Sequence, residues 1–275
     1  MHSPVAPSRH PGFTRPVHVL AADPDLAGGL EGRELAEARS RVMAPAVALP
    51  AGAWHPCPQR PDGAFGVLIL RGMLISEERL GGRWHAQIMG PGDVIDPWAQ
   101  GDLLARARLW TAAQPSSLAL LDGEFLRSAH RWAPITASLL RRLTDRAERL
   151  AATAAMSQLP RVDLRLLGFF WHLAERWGRV APSGLVVSVR LTHEQLGRLV
   201  GARRPTVTLA LGELDAAGLL SRRREGSWLL AGASSELLQG GGVASFAGVP
   251  SYVNGNRGDG KLPTVRKLPT ARAVA

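Results

Sequence analysis

Two groups of residues in this chain carry chemistry suited to a polyanion. Arg203 and Arg204 open the run RRPTVT, and Arg222, Arg223 and Arg224 stand together further on. A guanidinium bonds bidentately to guanine O6 and N7, and a threonine reaches a phosphate through its hydroxyl or a thymine methyl through its own methyl. A helix N-terminus adds a favourable site for phosphate. An arginine run alone is usually a solvated face, so the surrounding elements decide.

Catalytic and metal chemistry finds little support. Between residues 45 and 127 only His55 and His85 occur, with no close His pair, so a cupin-type metal enzyme lacks its converging ligands. Cys57 is the single cysteine, which excludes an internal disulfide or a cysteine-ligated cluster within the chain. It is expected to fill apolar space. No metal, cofactor or enzymatic activity is expected. The formal net charge of +10 favours polyanionic partners without choosing between nucleic acid and anionic membrane. Its distribution is more telling, since residues 156–232 hold eleven arginines and six acidic residues. No apolar run approaches the roughly 20 residues needed to cross a bilayer. The start lacks a secretory signal pattern, so a cytoplasmic protein without membrane attachment is expected.

The elements around the arginines give them a purpose. Thr192-His-Glu-Gln195 has the spacing of a capping box, a threonine capping the helix and a glutamine reaching back. The helix it opens runs to about Val200, with Leu196, Leu199 and Val200 inward, and Gly201 supplies the turn. A second helix begins at Arg203 or Arg204, with Pro205 in its first turn where no amide is missed. Its inner stripe is Val207, Leu211 and Leu214, and Gly218 ends it. Leu219-Leu220 and Trp228-Leu229-Leu230 then form a two-stranded wing around the arginine cluster. A short helix and a tight turn aim the N-terminal end of the next helix into a major groove.

The rest of the chain divides by composition and period. Residues 1–44 read as a flexible leader with one short helix at Gly32–Arg41. Residues 45–127 hold short apolar runs punctuated by glycine, the pattern of a β-roll. Gly81-Gly82 makes a hairpin turn and Gly90-Pro91-Gly92 a tight turn. Residues 128–158 carry a helix on which Leu140, Leu143, Ala147, Leu150 and Ala154 repeat at 3-4-3-4, a seam suited to a partner helix. Residues 161–178 form a further amphipathic helix with Leu164, Leu167, Phe170, Leu173 and Ala174 inward and Gly178 as its stop. Residues 233–275 are Gly-rich and then repetitive, and are expected to be a disordered tail. That tail lacks the apolar face a membrane-surface protein would need. The fold class is α+β: a jelly-roll-like β-roll, a long helix and a winged helix-turn-helix over 159–232.

At this point the chain resembles the bacterial Crp/Fnr regulators. The resemblance is strongest in LTHEQLGRLVGARRPTVTLALGELDAAGLLSRR, and it extends to Val67–Gly72 and Met89–Asp93 of the roll. It implies a homodimer on two-fold double-stranded DNA, a roll sensing a small-molecule effector, and RNA polymerase as a partner. It makes Thr192, Arg203, Arg204, Thr206, Thr208, Arg222, Arg223 and Arg224 the expected DNA-binding set. One departure matters. Members that bind a cyclic nucleotide carry Gly-Glu and then Arg-Ser or Arg-Thr, whereas here Gly92-Asp93 leads into Val-Ile-Asp-Pro-Trp98 and later Ala105-Arg106-Ala107-Arg108. A cyclic-nucleotide-activated regulator is therefore the alternative, with Arg106 or Arg108 its only anion partners.

Overall fold

The structure is a computed structural model that describes residues 12–98 and 108–231. The first part of the chain forms strand β1 (Arg15–His18), helix α1 (Val19–Ala22), a 3-10 turn (Pro24–Ala27) and helix α2 (Gly32–Arg41). Strands β2 (Met43–Leu49), β3 (Gly52–Trp54), β4 (Gly66–Arg71), β5 (Leu74–Leu80), β6 (Arg83–Met89), β7 (Val94–Ile95), β8 (Arg108–Ala112) and β9 (Ser116–Leu121) build the roll. Helices α3 (Gly123–Ala129), α4 (Ala133–Ser157) and α5 (Val162–Trp177) follow. The last unit comprises β10 (Gly178–Ala181), β11 (Gly184–Val187), α6 (His193–Val200), α7 (Arg204–Ala216), β12 (Leu220–Arg222) and β13 (Trp228–Leu230).

The roll is two antiparallel sheets, ordered β1-β2-β9-β4-β7 and β3-β8-β5-β6. The period-two rule divides β4 between two cores. Val67 and Ile69 face the second sheet, with Trp54, Leu74, Met89, Ile95, Trp98, Trp110, Leu118 and Leu120. Leu68 and Leu70 face the opposite way, into a layer with Val19, Leu20, Leu26, Leu121, Phe125, Ile135 and Leu139. A strand buried on both faces must be apolar throughout, which is why Gly66–Leu70 reads as an unbroken run. The β5–β6 hairpin closes through Gly81 and Gly82 at φ +56° and +77°, a turn that L side chains disfavour.

The loose leader expected for residues 1–44 is corrected over its described part. Phe13, Val19, Leu20, Leu26, Leu30, Ala38 and Val42 are buried, and β1 pairs with β2 from Arg15 opposite Ala46. These apolar residues come in short groups with no sustained period, so their burial depends on a sheet and helices supplied by later sequence. The helix Gly32–Arg41 is present. Residues 1–11 and the expected disordered tail at 233–275 lie outside the described residues.

Helix α4 is anchored at its start by Ile135 and Leu139 and held along one side by arginines. Arg142 pairs with Asp23 of the leader segment, Arg146 donates to the Val94 carbonyl at 2.8 Å, and Arg149 meets Asp93 at 2.6 Å. Spacings of four and three put the three guanidiniums on one helix face. The apolar seam lies on another face. Leu140 is 61%, Leu143 43% and Leu150 41% exposed, and Ala147 and Ala154 are exposed with them.

The C-terminal unit packs α5 and α7 on a four-stranded sheet ordered β10-β11-β13-β12, with α6 against both helices. The expected two-stranded wing is thus half of a larger sheet. Leu167, Phe170 and Leu173 of α5 are buried as expected, Leu164 is only half-buried, and Leu166 and Phe169 join the core. Gly178 ends α5, but at φ −70° and by close approach. A Cβ there would stand 2.4 Å from the Ala174 carbonyl oxygen.

Candidate nucleic-acid interface

The geometry of α6 and α7 follows from local hydrogen bonding. Thr192 Oγ1 accepts from the Gln195 amide at 3.1 Å, and the Thr192 amide donates to Gln195 Oε1 at 2.9 Å, completing the capping box. Gly201 turns the chain at φ +67°, in the left-handed region that favours glycine. Gly197 is needed for a different reason, because a Cβ there would stand 2.6 Å from the Ala202 carbonyl oxygen. Leu196, Leu199 and Val200 are buried on one side of the turn, and Val207, Leu211 and Leu214 on the other. This seals the two helices at a fixed angle.

Helix α7 then presents its N-terminal turn outward. Arg203 occupies the N-cap position without a side-chain cap, and Pro205 lies in the first turn. Arg203, Arg204, Thr206 and Thr208 are all exposed. Arg203 and Arg204 make no ion pair among the described residues, so both guanidiniums face solvent with their donors available. Thr208 is differently placed, since its hydroxyl donates to the Arg204 carbonyl at 3.1 Å and lies 2.9 Å from His193 Nδ1. The Thr192 hydroxyl is likewise engaged in the cap, so this residue positions α6.

The wing carries its three arginines exposed, Arg222 at the end of β12 and Arg223 and Arg224 in the β12–β13 connection. Arg223 pairs with Glu225 at 3.2 Å, Arg222 stands 5.6 Å over the Trp228 ring, and Arg224 makes no ion pair among the described residues. The wing strands are held from beneath by Trp228, which lies 4.6 Å from Phe170 of α5.

Several contacts join this unit to the roll, and two involve buried carboxylates. Arg198 of α6 meets the buried Glu77 of β5 at 2.8 Å and lies 4.9 Å over the Trp84 ring of β6. Asp93, only 3% exposed, accepts from the Gly90 amide, from Arg149 of α4 and twice from Arg176 of α5, at 2.6 to 3.1 Å. One carboxylate therefore binds the roll turn, the long helix and the C-terminal unit together. Sequence reasoning singled out the Gly90-Pro91-Gly92-Asp93 turn but not this role, because the partners lie 56 and 83 residues away.

Elsewhere in the roll, Arg108 is held by Glu78 through Nε at 2.6 Å, and Arg106 lies outside the described residues. Cys57 packs against the roll interior, its thiol donating to the Gln59 carbonyl. No group of three or more His, Cys, Asp or Glu residues suited to a metal ion occurs among the described residues. No described helix is long and apolar enough to cross a membrane.

Residues 164–230 match the family of Crp-like helix-turn-helix domains. The chain carries a Crp-like helix-turn-helix domain. A "CRP-like cAMP-activated global transcriptional regulator" from Mycobacterium tuberculosis is 32% identical over 151 residues, covering 54% of this chain and 66% of that relative. A CooA variant from Carboxydothermus hydrogenoformans superposes with a TM-score of 0.58 at 16% identity, over 78% of this chain and 94% of that one. FixK2 from Bradyrhizobium japonicum gives 0.55 at 15% identity, over 74% and 98%. Roll, long helix and Crp-like domain together make the fold of the Crp/Fnr type expected from sequence.

Proposed function

We propose that this Crp/Fnr-type chain is a sequence-specific DNA-binding transcriptional regulator that acts as a homodimer on a two-fold operator. The observation that carries the proposal is the outward first turn of α7. Among the described residues Arg203 and Arg204 stand there without ion-pair partners, on a domain of Crp-like sequence, with the Arg222–Arg224 wing in the same domain. In this reading α7 enters the major groove, Arg204 reads a guanine edge, and Arg203, Thr206 and the wing arginines contact phosphates.

The exposed seam of Leu140, Leu143, Ala147, Leu150 and Ala154 supports self-association through α4, which would place two recognition helices about one DNA turn apart. RNA polymerase is the further partner this function requires, and the roll is the sensor of an effector. The name of the mycobacterial relative would bring cAMP. The residues favour a different effector, because Asp93 follows Gly92 where a glutamate is expected and spends its carboxylate on Arg149 and Arg176, while Arg108 is held by Glu78.

The deciding experiment is a pair of binding titrations against salt, on a selected duplex and on a scrambled one. Arg204→Ala should lose about 1–3 kcal/mol on the selected duplex only. Arg224→Ala should weaken both duplexes and reduce the salt slope by about one unit. A chain that prefers no sequence, or an Arg204→Ala loss equal on both duplexes, would refute the corresponding role.

A further inference from the structure

The face of α7 turned away from the core carries a large apolar side chain that folding does not use. Val207, Ala210, Leu211 and Leu214 form the buried stripe, none more than 7% exposed. At 100° per residue, the opposite line of the helix runs through Pro205, Leu209, Gly212 and Ala216. Leu209 sits on that line and is 68% exposed. Arg204, Pro205, Thr208, Gly212 and Glu213 surround it in a shallow apolar depression. A Cβ at Gly212 would meet nothing within 4 Å, so the approach to Leu209 from its C-terminal side is open.

The hydrogen-bonding groups near Leu209 are unevenly distributed. The Thr208 hydroxyl is turned back to the Arg204 carbonyl and to His193. Arg203 and Arg204 supply donors at the start of the helix, and one turn later the line facing outward presents carbon. The charge around this patch selects its occupant. Arg204 lines it toward the head of α7 and Glu213 toward the other end, but Arg203 and the three wing arginines belong to the same domain and leave it net positive, so a polyanion is favoured over an apolar protein surface. Within a major groove, one base feature is complementary to carbon rather than to a donor or acceptor, and that is the C5-methyl of thymine.

Resting on the DNA-binding function proposed above, we infer that Leu209 is a specificity-determining residue that packs on a thymine methyl in each half-site. Leu209 lies five residues beyond Arg204, roughly 7.5 Å along the helix axis at 1.5 Å per residue. At about 3.4 Å per base step, the thymine stands about two pairs from the guanine that Arg204 reads. Cytosine at that place would bring an amino donor against the leucine and leave it unpaired.

The test uses the full chain and its preferred duplex, selected from a random pool. Each thymine is then replaced singly by uracil, which removes the methyl group and leaves the pairing edge intact. At one position per half-site, uracil should weaken binding about fourfold, the worth of burying one methyl group. In Leu209→Ala the uracil penalty should fall below about twofold while the guanine preference persists. Arg204→Ala should show the reverse. A chain that selects a sequence but binds thymine and uracil duplexes equally overturns the inference and leaves the DNA-binding function standing. So does a Leu209→Ala variant that keeps the full uracil penalty, or one whose affinity is unchanged on every duplex, which would assign the leucine to a different partner. A chain that selects no sequence refutes the function itself and the inference with it.

Discussion

Replacing Asp93 with alanine should loosen three parts of the molecule at once. The carboxylate is 3% exposed and accepts four hydrogen bonds, one from Gly90, one from Arg149 and two from Arg176. Removing one partner of a buried ion pair costs about 3–5 kcal/mol when the remaining charge stays buried. Here the Arg149 and Arg176 side chains are each 23% exposed and can turn partly to water, which lowers that figure. The Gly90 amide is left unpaired, which adds about 1 kcal/mol. A net loss of about 3 kcal/mol is therefore expected. For a unit of this size, about 2–4 °C per kcal/mol translates it into a fall of roughly 6–12 °C in melting temperature.

Arg176→Ala leaves Arg149 and Gly90 on the carboxylate and should cost less, about 1–2 kcal/mol. The double variant should cost little more than Asp93→Ala alone, because the arginine has nothing left to hold. Thermal unfolding of the four proteins by circular dichroism closes this cycle. If Asp93→Ala melts within about 2 °C of the unmutated chain, or if the two single losses simply add, the carboxylate is not the joint the geometry describes.

Three further outcomes follow from the structure. Gly197→Ala should force a shift of the α6–α7 turn, since its Cβ would stand 2.6 Å from the Ala202 carbonyl oxygen. It should lose about 1–3 kcal/mol of stability together with operator affinity, as measured by melting and by gel shift. Leu143→Glu with Leu150→Glu should leave the melting of the monomer nearly unchanged, because both residues are more than 40% exposed, while light scattering shows the loss of a dimer; an unmutated chain already monomeric at micromolar concentration would refute the seam. Burial pushes the His172 imidazole below its ordinary 6.5, with Arg149 and Arg176 adding to the effect and Glu175 opposing it. The unfolded chain then takes up this proton first, so the stability from His172 is full above about pH 6.5 and declines as the pH falls toward the folded value. His172→Gln should flatten that part of the melting-temperature profile between pH 7 and 5, and an unchanged profile would contradict it.

Much of the DNA-binding unit was legible in the sequence because its determinants are local. A capping box needs Thr192 and Gln195 three residues apart, Gly201 and Gly218 meet demands of their own φ angles, and Pro205 suits a first helical turn whatever lies beyond it. The Gly81-Gly82 hairpin was legible for the same reason. The apolar period of α4 marked Leu140, Leu143 and Leu150 as a seam, though only the folded roll shows that Arg142, Arg146 and Arg149 turn to Asp23, Val94 and Asp93 and leave that seam exposed. What the tertiary structure decided is the set of pairings across long stretches of chain. The order of residues 12–44 depends on strand β2 and helix α4 to cover Val19, Leu20 and Leu26. Strands β10 and β11 are too short to carry a pattern of their own, and they exist because β13 offers a paired edge. Leu209 is a leucine like its neighbours until the helix is docked, when burial of Val207, Leu211 and Leu214 fixes the rotation of α7 and turns Leu209 to solvent. Local composition records backbone preference and helical phase, while a buried carboxylate or an exposed leucine acquires its meaning from residues that the chain brings together only on folding.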